Sequence, residues 1–135
     1  MNSPISVLVI DDDLSVCAAI KRGLEKTHQY IVHIASSGPE GVQTACERLP
    51  DVILLDMMMP QMTGAEVARM LRDNQQTADI PYIYLTGLLT RREAEAFCGV
   101  IDGERYLPKP ANLDEIVAVI DSVLSMRKNH RKLAE

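Results

Sequence analysis

The stretch that decides the fold is Pro50-Asp51-Val52-Ile53-Leu54-Leu55-Asp56-Met57-Met58-Met59-Pro60. Its apolar run from Val52 to Leu55 is unbroken, and a run of this length between prolines predicts a strand that is buried on both faces. Asp56 follows at the point where this strand ends. In an open α/β sheet, ligands bind just beyond the carboxyl ends of the strands. The carboxylate of Asp56 is therefore predicted to be either a metal ligand or a reacting group.

On both sides of this stretch, β-branched apolar runs alternate with segments whose apolar residues recur at helical spacing. Strands are predicted at 5–10, 30–35, 52–55, 81–87 and 105–107, and helices at 14–26, from about 38, and at 64–74, 90–98 and 113–126. Strands joined by helices of this length run parallel, because each crossover returns the chain in the same direction. The predicted fold is α/β: a three-layer, doubly wound (βα)5 sandwich around a five-stranded parallel sheet.

Composition and charge restrict the function classes. The chain has 135 residues, of which 47% are apolar and 24% charged, as in a single soluble globular domain. Its net charge of −5 argues against direct nucleic-acid binding by the domain. Three widely spaced cysteines predict free, buried thiols in a reducing compartment. The sequence shows no signal-peptide pattern and no membrane-spanning run of about 20 apolar residues, so the expected location is the cytoplasm.

Polar residues with complementary chemistry follow the predicted strands. Asp11 and Asp12 follow the first, Asp56 the third, Thr86 ends the fourth and Lys109 follows the fifth. Three carboxylates in one crevice repel each other and stay ionised only beside a cation, for which Mg²⁺ is the best match. A hydroxyl and an ammonium would complete a site for a tetrahedral dianion. This set predicts phosphoryl transfer, with one carboxylate as the nucleophile that forms an aspartyl phosphate.

Each of these residues also has a plain structural interpretation. The run from Asp11 to Asp13 is compatible with a helix cap on a solvated loop. A threonine at a strand end is commonly only β-branched, and a lysine before a proline is commonly on the surface. The methionines from Met57 to Met59 are typical of core packing. Only the combination of these residues at successive strand ends favours a site.

Four segments carry a resemblance to a known family: V-L-V-I-D-D, P-D-V-I-L-L-D-M-M-M-P-Q-M-T-G, Y-I-Y-L-T-G and Y-L-P-K-P. Over roughly residues 5–126, the chain resembles the receiver domain of response regulators in two-component signalling. The resemblance implies a flavodoxin-like sheet with strand order 2-1-3-4-5. It also implies that residues 1–126 form the receiver domain. Residues 127–135 are predicted to be a polar, basic tail, with the start of a linker as the alternative.

The resemblance assigns a metal and a reacting group to the acidic residues. By position, Asp56 is the phosphoacceptor and also touches a Mg²⁺ ion. Asp11 and Asp12 hold this Mg²⁺, with Asp12 as the more direct ligand and Asp11 acting partly through water. The backbone carbonyl of Met58 is the third protein ligand, so the metal does not constrain its side chain.

The same resemblance assigns the residues that respond to the phosphoryl group. Thr86 is the hydroxyl that moves onto a phosphoryl oxygen, and Lys109 pairs with the phosphate. The peptide bond from Lys109 to Pro110 is expected to be cis. Tyr106 occupies the position of the aromatic switch, which rotates into the space that the threonine leaves.

A partner set follows from the resemblance. The phosphoryl donor is expected to be a sensor histidine kinase or a histidine phosphotransfer protein. Phosphorylation is expected to change the face formed by the fourth helix, the fifth strand and the fifth helix, which then contacts an output protein, a further output domain or a second copy. No membrane contact and no direct nucleic-acid contact are expected. The domain is not expected to be an enzyme, although it assists its own phosphorylation and dephosphorylation.

The chain departs from the family at several positions. Gly87 replaces the usual alanine after the threonine, and Asp102-Gly103 replaces Gly-Ala before the fifth strand, which predicts an unusual placement of the fourth helix. Ala111 follows Pro110 where a bulky aromatic is common. Met58 and Leu88 are apolar and are unable to orient a water molecule, so slow self-hydrolysis is predicted.

Three other hypotheses fit parts of the sequence. The segment around Asp11-Asp12-Asp13 loosely resembles the D-x-D motif of haloacid-dehalogenase-type phosphatases, with Asp11 as nucleophile, but those enzymes need a further acidic motif after the lysine and a cap, and neither is recognised in this sequence. The second hypothesis is a receiver-like binding module that never takes phosphate and works by protein contact alone. The third makes the basic residues after Met126 the start of an output domain, although a solvated helix end explains them as well.

Overall fold

The computed structural model describes the backbone of residues 3–134 and the side chains as far as Arg127. Strands and helices alternate along the chain. In order they are β1 (Ile5–Ile10), α1 (Leu14–Glu25), β2 (Tyr30–Ala35), α2 (Gly38–Arg48), β3 (Val52–Asp56), α3 (Gly64–Asp73), β4 (Tyr82–Thr86), α4 (Arg91–Ala96), β5 (Val100–Ile101), β6 (Glu104–Pro108) and α5 (Leu113–Ala134).

The strands form one sheet in the order β2-β1-β3-β4-β6-β5. The first five strands in this order are parallel to their neighbours, and only β5 is antiparallel. Because β6 is the fifth parallel strand, the predicted order 2-1-3-4-5 is confirmed. The α/β fold with parallel crossovers is confirmed with it.

The strand count is six rather than the predicted five, because a short hairpin replaces the expected turn before the last parallel strand. Val100 and Ile101 pair antiparallel with Arg105 and Glu104. The connecting residues Asp102 and Gly103 have φ angles of 52° and 80°, and two-residue hairpins favour positive φ at both positions. The hairpin also shortens α4, which ends at Ala96 instead of Cys98.

The last helix is longer than predicted. It begins at Leu113, as expected from the cap residue Asn112, but it continues through residues 127–134, which were predicted to be a tail. The sequence contains no glycine or proline after Pro110, so nothing interrupts the helix there. The division between 1–126 and 127–135 stays a prediction. Within residues 3–134, no helix is both long and apolar enough to cross a membrane.

The three cysteines are free, as predicted, but they are not all buried. Cys17 is buried, Cys46 is partly buried and Cys98 is exposed. Cys98 follows the shortened α4 and has a φ of 53°, so it lies in the connection to the hairpin instead of on an apolar helix face.

Two apolar cores lie on the two faces of the sheet. Alternate residues of β3 face opposite sides, so Val52 and Leu54 pack with α1 and α5, whereas Ile53 and Leu55 pack with α2 and α3. All four side chains have no exposed surface, as the unbroken apolar run predicted. The two cores hold β3 at the centre of the sheet, which fixes the position of its last residue, Asp56.

The start of α3 approaches the end of β3 closely, and this approach requires a glycine at residue 64. The N–H of Gly64 donates to the carbonyl of Met57 at 2.9 Å. A Cβ at residue 64 would lie 2.4 Å from the carbonyl oxygen of Asp56 and 2.8 Å from the Cα of Met57. Both neighbours are backbone atoms, so a side chain at this position would displace the end of β3.

We therefore expect Gly64→Ala to lower the free energy of unfolding by about 1–3 kcal/mol, measured by urea denaturation. Gly87→Ala is the matched control, because a Cβ at residue 87 meets no atom within 4 Å. The control should change stability by no more than about 0.5 kcal/mol. Equal effects of the two substitutions would contradict the close approach at residue 64.

Candidate functional site

Three carboxylates converge at the carboxyl edge of the sheet. Asp11 and Asp12 follow β1, and Asp56 is the last residue of β3, so pairing of these two strands brings their ends together. Carboxylate oxygens of the three residues lie within 4.8 Å of one another. Asp11 has no exposed surface and Asp56 only 5%, whereas Asp12 is exposed. The predicted acidic cluster is therefore present, with two of its members buried.

Lys109 is the cation that reaches this cluster. Its Nζ atom lies 2.6 Å from Oδ2 of Asp11 and 3.4 Å from Oδ1 of Asp56. Its backbone N–H donates to the carbonyl of Thr86 at 2.8 Å, which ties the end of β6 to the end of β4. The peptide bond between Lys109 and Pro110 is cis, as expected from the resemblance.

The charges in this cluster shift the pKa values of its members. Burial raises the pKa of Asp56 to about 6, and the charge of Asp11 adds to this effect. The N–H of Met58 and the ammonium of Lys109 act in the opposite direction but do not outweigh burial. For Lys109, burial lowers the pKa, but contact with Asp11 and Asp56 more than compensates, so the net shift is upward. The lysine is therefore held in its charged form.

The residues present fit a hard divalent cation. All candidate donors are carboxylate oxygens, which Mg²⁺ and Ca²⁺ prefer. Oδ2 of Asp11 is buried, and among the described residues it accepts no well-aligned hydrogen bond despite the ion pair with Lys109. One cation beside three carboxylates leaves negative charge uncompensated. The cluster is therefore able to hold a metal ion.

Thr86 and Tyr106 lie on the neighbouring strands β4 and β6, and β4 is paired with β3. Thr86 ends β4 and is only 3% exposed, and its Oγ1 accepts a hydrogen bond from the N–H of Leu88 at 3.0 Å. Tyr106 pairs with Tyr84 in the sheet, and their rings stack with centroids 5.2 Å apart. Because residues two apart on a strand face the same side, Thr86 and the Tyr84–Tyr106 pair share one face.

Met58 is positioned by the phosphoacceptor candidate itself. Its backbone N–H donates to Oδ1 of Asp56 at 3.2 Å, while its side chain is 62% exposed. Leu14 and Leu88, which also follow strand ends, are 61% and 75% exposed. Apolar side chains that follow three of the strands are therefore exposed to solvent. The metal-ligand role of the Met58 carbonyl stays a prediction.

Sequence reasoning missed two sets of contacts near the site. One is the stacking of Tyr84 on Tyr106, which the alternation Y-I-Y in β4 signals only once the register with β6 is known. The other is the contact of Arg91 with Glu115 and with the carbonyl of Pro110. Local patterns in the sequence carry no signal for a contact between residues so far apart.

Comparison with known proteins identifies the class of the chain. Residues 7–121 match the family described as the response regulator receiver domain. This match covers most of the chain, and the chain belongs to the family. It therefore functions as a receiver domain in two-component signalling, and Mg²⁺ binding and phosphorylation are typical of this family. Receiver domains are generally not catalytic enzymes in the usual sense.

Individual relatives support the same class. The chain is 36% identical over 123 residues to the response regulator MprA of Mycobacterium sp. (strain KMS), a match that covers 90% of the chain and 51% of that protein. The chain thus spans about half the length of the curated relatives it matches.

Solved structures agree with this assignment. The chemotaxis protein CheY4 of Vibrio cholerae is 28% identical with a TM-score of 0.76, over 90% of this chain and 100% of that one. The receiver domain of the Francisella response regulator 1452 is 29% identical with a TM-score of 0.73, over 93% and 99%.

The raised pKa of Asp56 predicts a dependence of stability on pH in metal-free protein. A folded pKa of about 6, above the ordinary 3.8, means that the fold favours the protonated carboxyl. The associated stabilisation is complete below about pH 4 and is lost as the pH rises through about 6. Asp56→Asn removes the charge and should raise the free energy of unfolding by about 1–2 kcal/mol near neutral pH, and by much less at about pH 4.

Urea denaturation in the presence of a chelator at these two pH values measures the effect. Asp79→Asn is the control, because Asp79 is exposed and lies outside the cluster. The control should change stability by less than about 0.5 kcal/mol at either pH. If Asp56→Asn raises the free energy of unfolding equally at both pH values, the charge of residue 56 is not the cause of the increase.

Proposed function

We propose that this receiver domain takes a phosphoryl group onto the carboxylate of Asp56 in a reaction that depends on Mg²⁺. The observation that carries the proposal is the position of the Lys109 ammonium, in contact with the buried carboxylates of both Asp11 and Asp56. A phosphoryl group on Asp56 would bring additional negative charge to this point. The lysine is already placed to compensate it.

The nucleophile in this proposal is a carboxylate oxygen of Asp56. It attacks the phosphorus of a phosphohistidine, the P–N bond breaks, and the imidazole leaves. Lys109 neutralises charge on the phosphoryl oxygens during transfer. Asp56 is 5% exposed at a strand end, so the donor must approach from the carboxyl edge of the sheet. The N–H of Met58, which donates to Asp56 Oδ1, keeps the carboxylate oriented.

Asp11, Asp12 and Asp56 are the residues that would hold Mg²⁺, with the backbone carbonyl of Met58 as a further ligand. When bound, this ion supplies positive charge to the phosphoryl oxygens and offsets repulsion among the carboxylates. The carboxylate of Asp11 is oriented by a neighbouring backbone N–H and by the lysine. Its Oδ1 accepts the N–H of Asp13 at 2.9 Å, which leaves Oδ2 directed to the lysine.

The proposed response begins at Thr86. Its hydroxyl moves to a phosphoryl oxygen and gives up the hydrogen bond from Leu88, and the ring of Tyr106 rotates toward the space that is left. Stacking on Tyr84 restrains this ring in the present arrangement. Such a change would alter the surface formed by α4, β6 and α5, and hydrolysis of the aspartyl phosphate would restore it.

The partners in this proposal follow from the family. The donor is a sensor histidine kinase or a histidine phosphotransfer protein, and the recipient of the signal is an output protein, an output domain or a second copy of the chain. The domain assists its own phosphorylation and dephosphorylation. We propose a cytoplasmic location, which the free cysteines favour.

The phosphatase alternative is not favoured. It would require Asp11 as nucleophile, but Asp11 has no exposed surface and its two carboxylate oxygens are engaged by Asp13 and Lys109. Among the described residues, the carboxylate of Asp56 accepts one hydrogen bond, from the N–H of Met58, and it lies farther from the lysine than Asp11 does. Of the two buried carboxylates, Asp56 is therefore the better candidate for a reacting group.

Acetyl phosphate with Mg²⁺ tests the proposal directly. We expect one phosphoryl group per chain, located at Asp56 by borohydride reduction and peptide mass spectrometry, because Asp56 meets the lysine and the proposed metal and, unlike Asp11, retains some exposed surface. Chelation of the metal should abolish labelling, as should Asp56→Asn, while Asp79→Asn should label normally. Labelling at Asp11 would support the phosphatase, and no labelling would support the binding module.

The side chain of Met58 is predicted to prolong the phosphorylated state. The thioether sulfur of methionine is a weak hydrogen-bond acceptor and does not orient an attacking water molecule, whereas the amide oxygen of glutamine would orient one. Met58→Gln should therefore speed loss of the phosphoryl group by roughly three- to tenfold, which is the change in rate expected when about one hydrogen bond stabilises the transition state. Decay of labelled protein after removal of acetyl phosphate gives the rate.

Met70→Gln provides the matched control, because Met70 is 44% exposed on α3, away from the acidic cluster. It makes the same chemical change and should leave the decay rate within about twofold. An unchanged rate in Met58→Gln would show that this side chain does not set the lifetime.

A further inference from the structure

Arg91, the first residue of α4, joins three parts of the fold through one guanidinium group. One nitrogen donates to Oε2 of Glu115 at 2.5 Å, and another donates to the carbonyl of Pro110 at 2.6 Å. Glu115 lies in the first turn of α5, and Pro110 lies between β6 and α5. The planar guanidinium is suited to two simultaneous contacts of this kind.

The contact with Pro110 acts on the segment that carries the lysine of the site. The N–H of Lys109 donates to the carbonyl of Thr86. The carbonyl of the following residue, Pro110, accepts a hydrogen bond from the guanidinium of Arg91. Thr86 and Arg91 are the two ends of the connection between β4 and α4. This connection therefore holds the Lys109–Pro110 segment at two adjacent points.

The anchors of Arg91 are themselves well fixed. Glu115 accepts the N–H of Asn112 through Oε1, and Oδ1 of Asn112 accepts the N–H of Glu115, so the carboxylate is part of the cap of α5. On the other side, Thr90 and Glu93 form a capping box at the start of α4. The hydrogen bond with Arg91 also lowers the pKa of Glu115, which keeps its carboxylate charged.

We propose that Arg91 is a positioning residue for phosphoryl transfer: it holds the Lys109–Pro110 segment in register with Thr86 and with the start of α5. The inference rests on the proposed function, because it concerns the same lysine and hydroxyl. Without Arg91, the carbonyl of Pro110 loses this hydrogen bond, and the Lys109–Pro110 segment keeps the hydrogen bond from the Lys109 N–H to Thr86. The ammonium group is then less well placed for a phosphoryl group on Asp56.

A purely structural role for Arg91 predicts that its loss lowers the unfolding temperature or the Mg²⁺ affinity, whereas the positioning role predicts neither. Its side chain is 50% exposed, and exposed ion pairs contribute little to stability. Its loss should therefore leave the unfolding temperature nearly unchanged. The Mg²⁺ affinity should also persist, because the proposed ligands Asp11, Asp12 and Asp56 lie at the ends of β1 and β3, whereas the side-chain hydrogen bonds of Arg91 within the described residues go to Pro110 and Glu115. The predicted loss is specific to groups that resemble the phosphoryl group.

The test compares Arg91→Gln with Arg92→Gln in the full chain. Arg92 is the next residue of α4, is exposed, and undergoes the same change of charge. Titration with beryllofluoride in saturating Mg²⁺ measures affinity for a phosphoryl analogue, and calorimetry with Mg²⁺ alone measures the metal site. We expect Arg91→Gln to weaken beryllofluoride binding and slow labelling by acetyl phosphate by roughly tenfold, with Arg92→Gln within about twofold of the parent.

Two further variants distinguish the contacts. Arg91→Lys keeps the charge but lacks the planar guanidinium that donates to two acceptors at once. It should therefore bind beryllofluoride more tightly than Arg91→Gln but less tightly than the parent. Glu115→Gln should weaken beryllofluoride binding less than Arg91→Gln does, because it leaves the hydrogen bond to Pro110 in place. In the double variant, the effect of Glu115→Gln should be much smaller than in the parent, since both changes act through one guanidinium.

Several results would overturn the inference. Equal effects of Arg91→Gln and Arg92→Gln would assign the change to net charge alone. A parallel fall in Mg²⁺ affinity or a large fall in unfolding temperature would assign it to general damage. If the parent protein binds beryllofluoride but Arg91→Gln binds it equally well, Arg91 has no positioning role. If the parent itself does not bind, the proposed function fails.

Discussion

The burial of two carboxylates beside a single lysine is the interaction on which the site depends. Asp11 and Asp56 are almost entirely withdrawn from solvent, and like charges at such positions destabilise a fold unless they are compensated. Lys109 supplies one positive charge, and its raised pKa shows that the two acids hold it. The remaining negative charge makes the end of the sheet attractive to cations, so the electrostatics that disfavour this arrangement also give it its capacity for metal binding.

The rest of the fold serves to keep these groups at fixed positions. The apolar residues of β3 are shared between two cores, which prevents the strand from shifting along its axis. The close approach of Gly64 to the backbone of Asp56 and Met57 holds the start of α3 against the end of β3. On the other side, backbone hydrogen bonds tie the end of β6 to the end of β4. The acidic cluster and Lys109 are therefore brought together from the ends of β1, β3 and β6.

Most of the fold and the composition of the site are predictable from the sequence, because both depend on local patterns. Buried apolar runs predict the strands, and polar residues at the ends of several of these runs predict the site. The hairpin was missed because Val100 and Ile101 are too few to show a periodic pattern, although Asp102-Gly103 is a turn signal. The exposure of Cys98 followed from that hairpin. The contact of Arg91 with Glu115 depends on how α4 and α5 lie across β6, which no local pattern encodes.

The tyrosine stack has a consequence for how this protein can be observed. The chain contains four tyrosines, one phenylalanine and no tryptophan, so its near-ultraviolet absorption and emission come mainly from tyrosine. Tyr84 lies 5.2 Å from Tyr106 and 5.4 Å from Tyr82, whereas Tyr30 belongs to the core on the opposite face of the sheet. Three of the four chromophores are thus coupled at one place. Near-ultraviolet circular dichroism of the unlabelled protein is accordingly a spectroscopic reporter of this corner of the sheet.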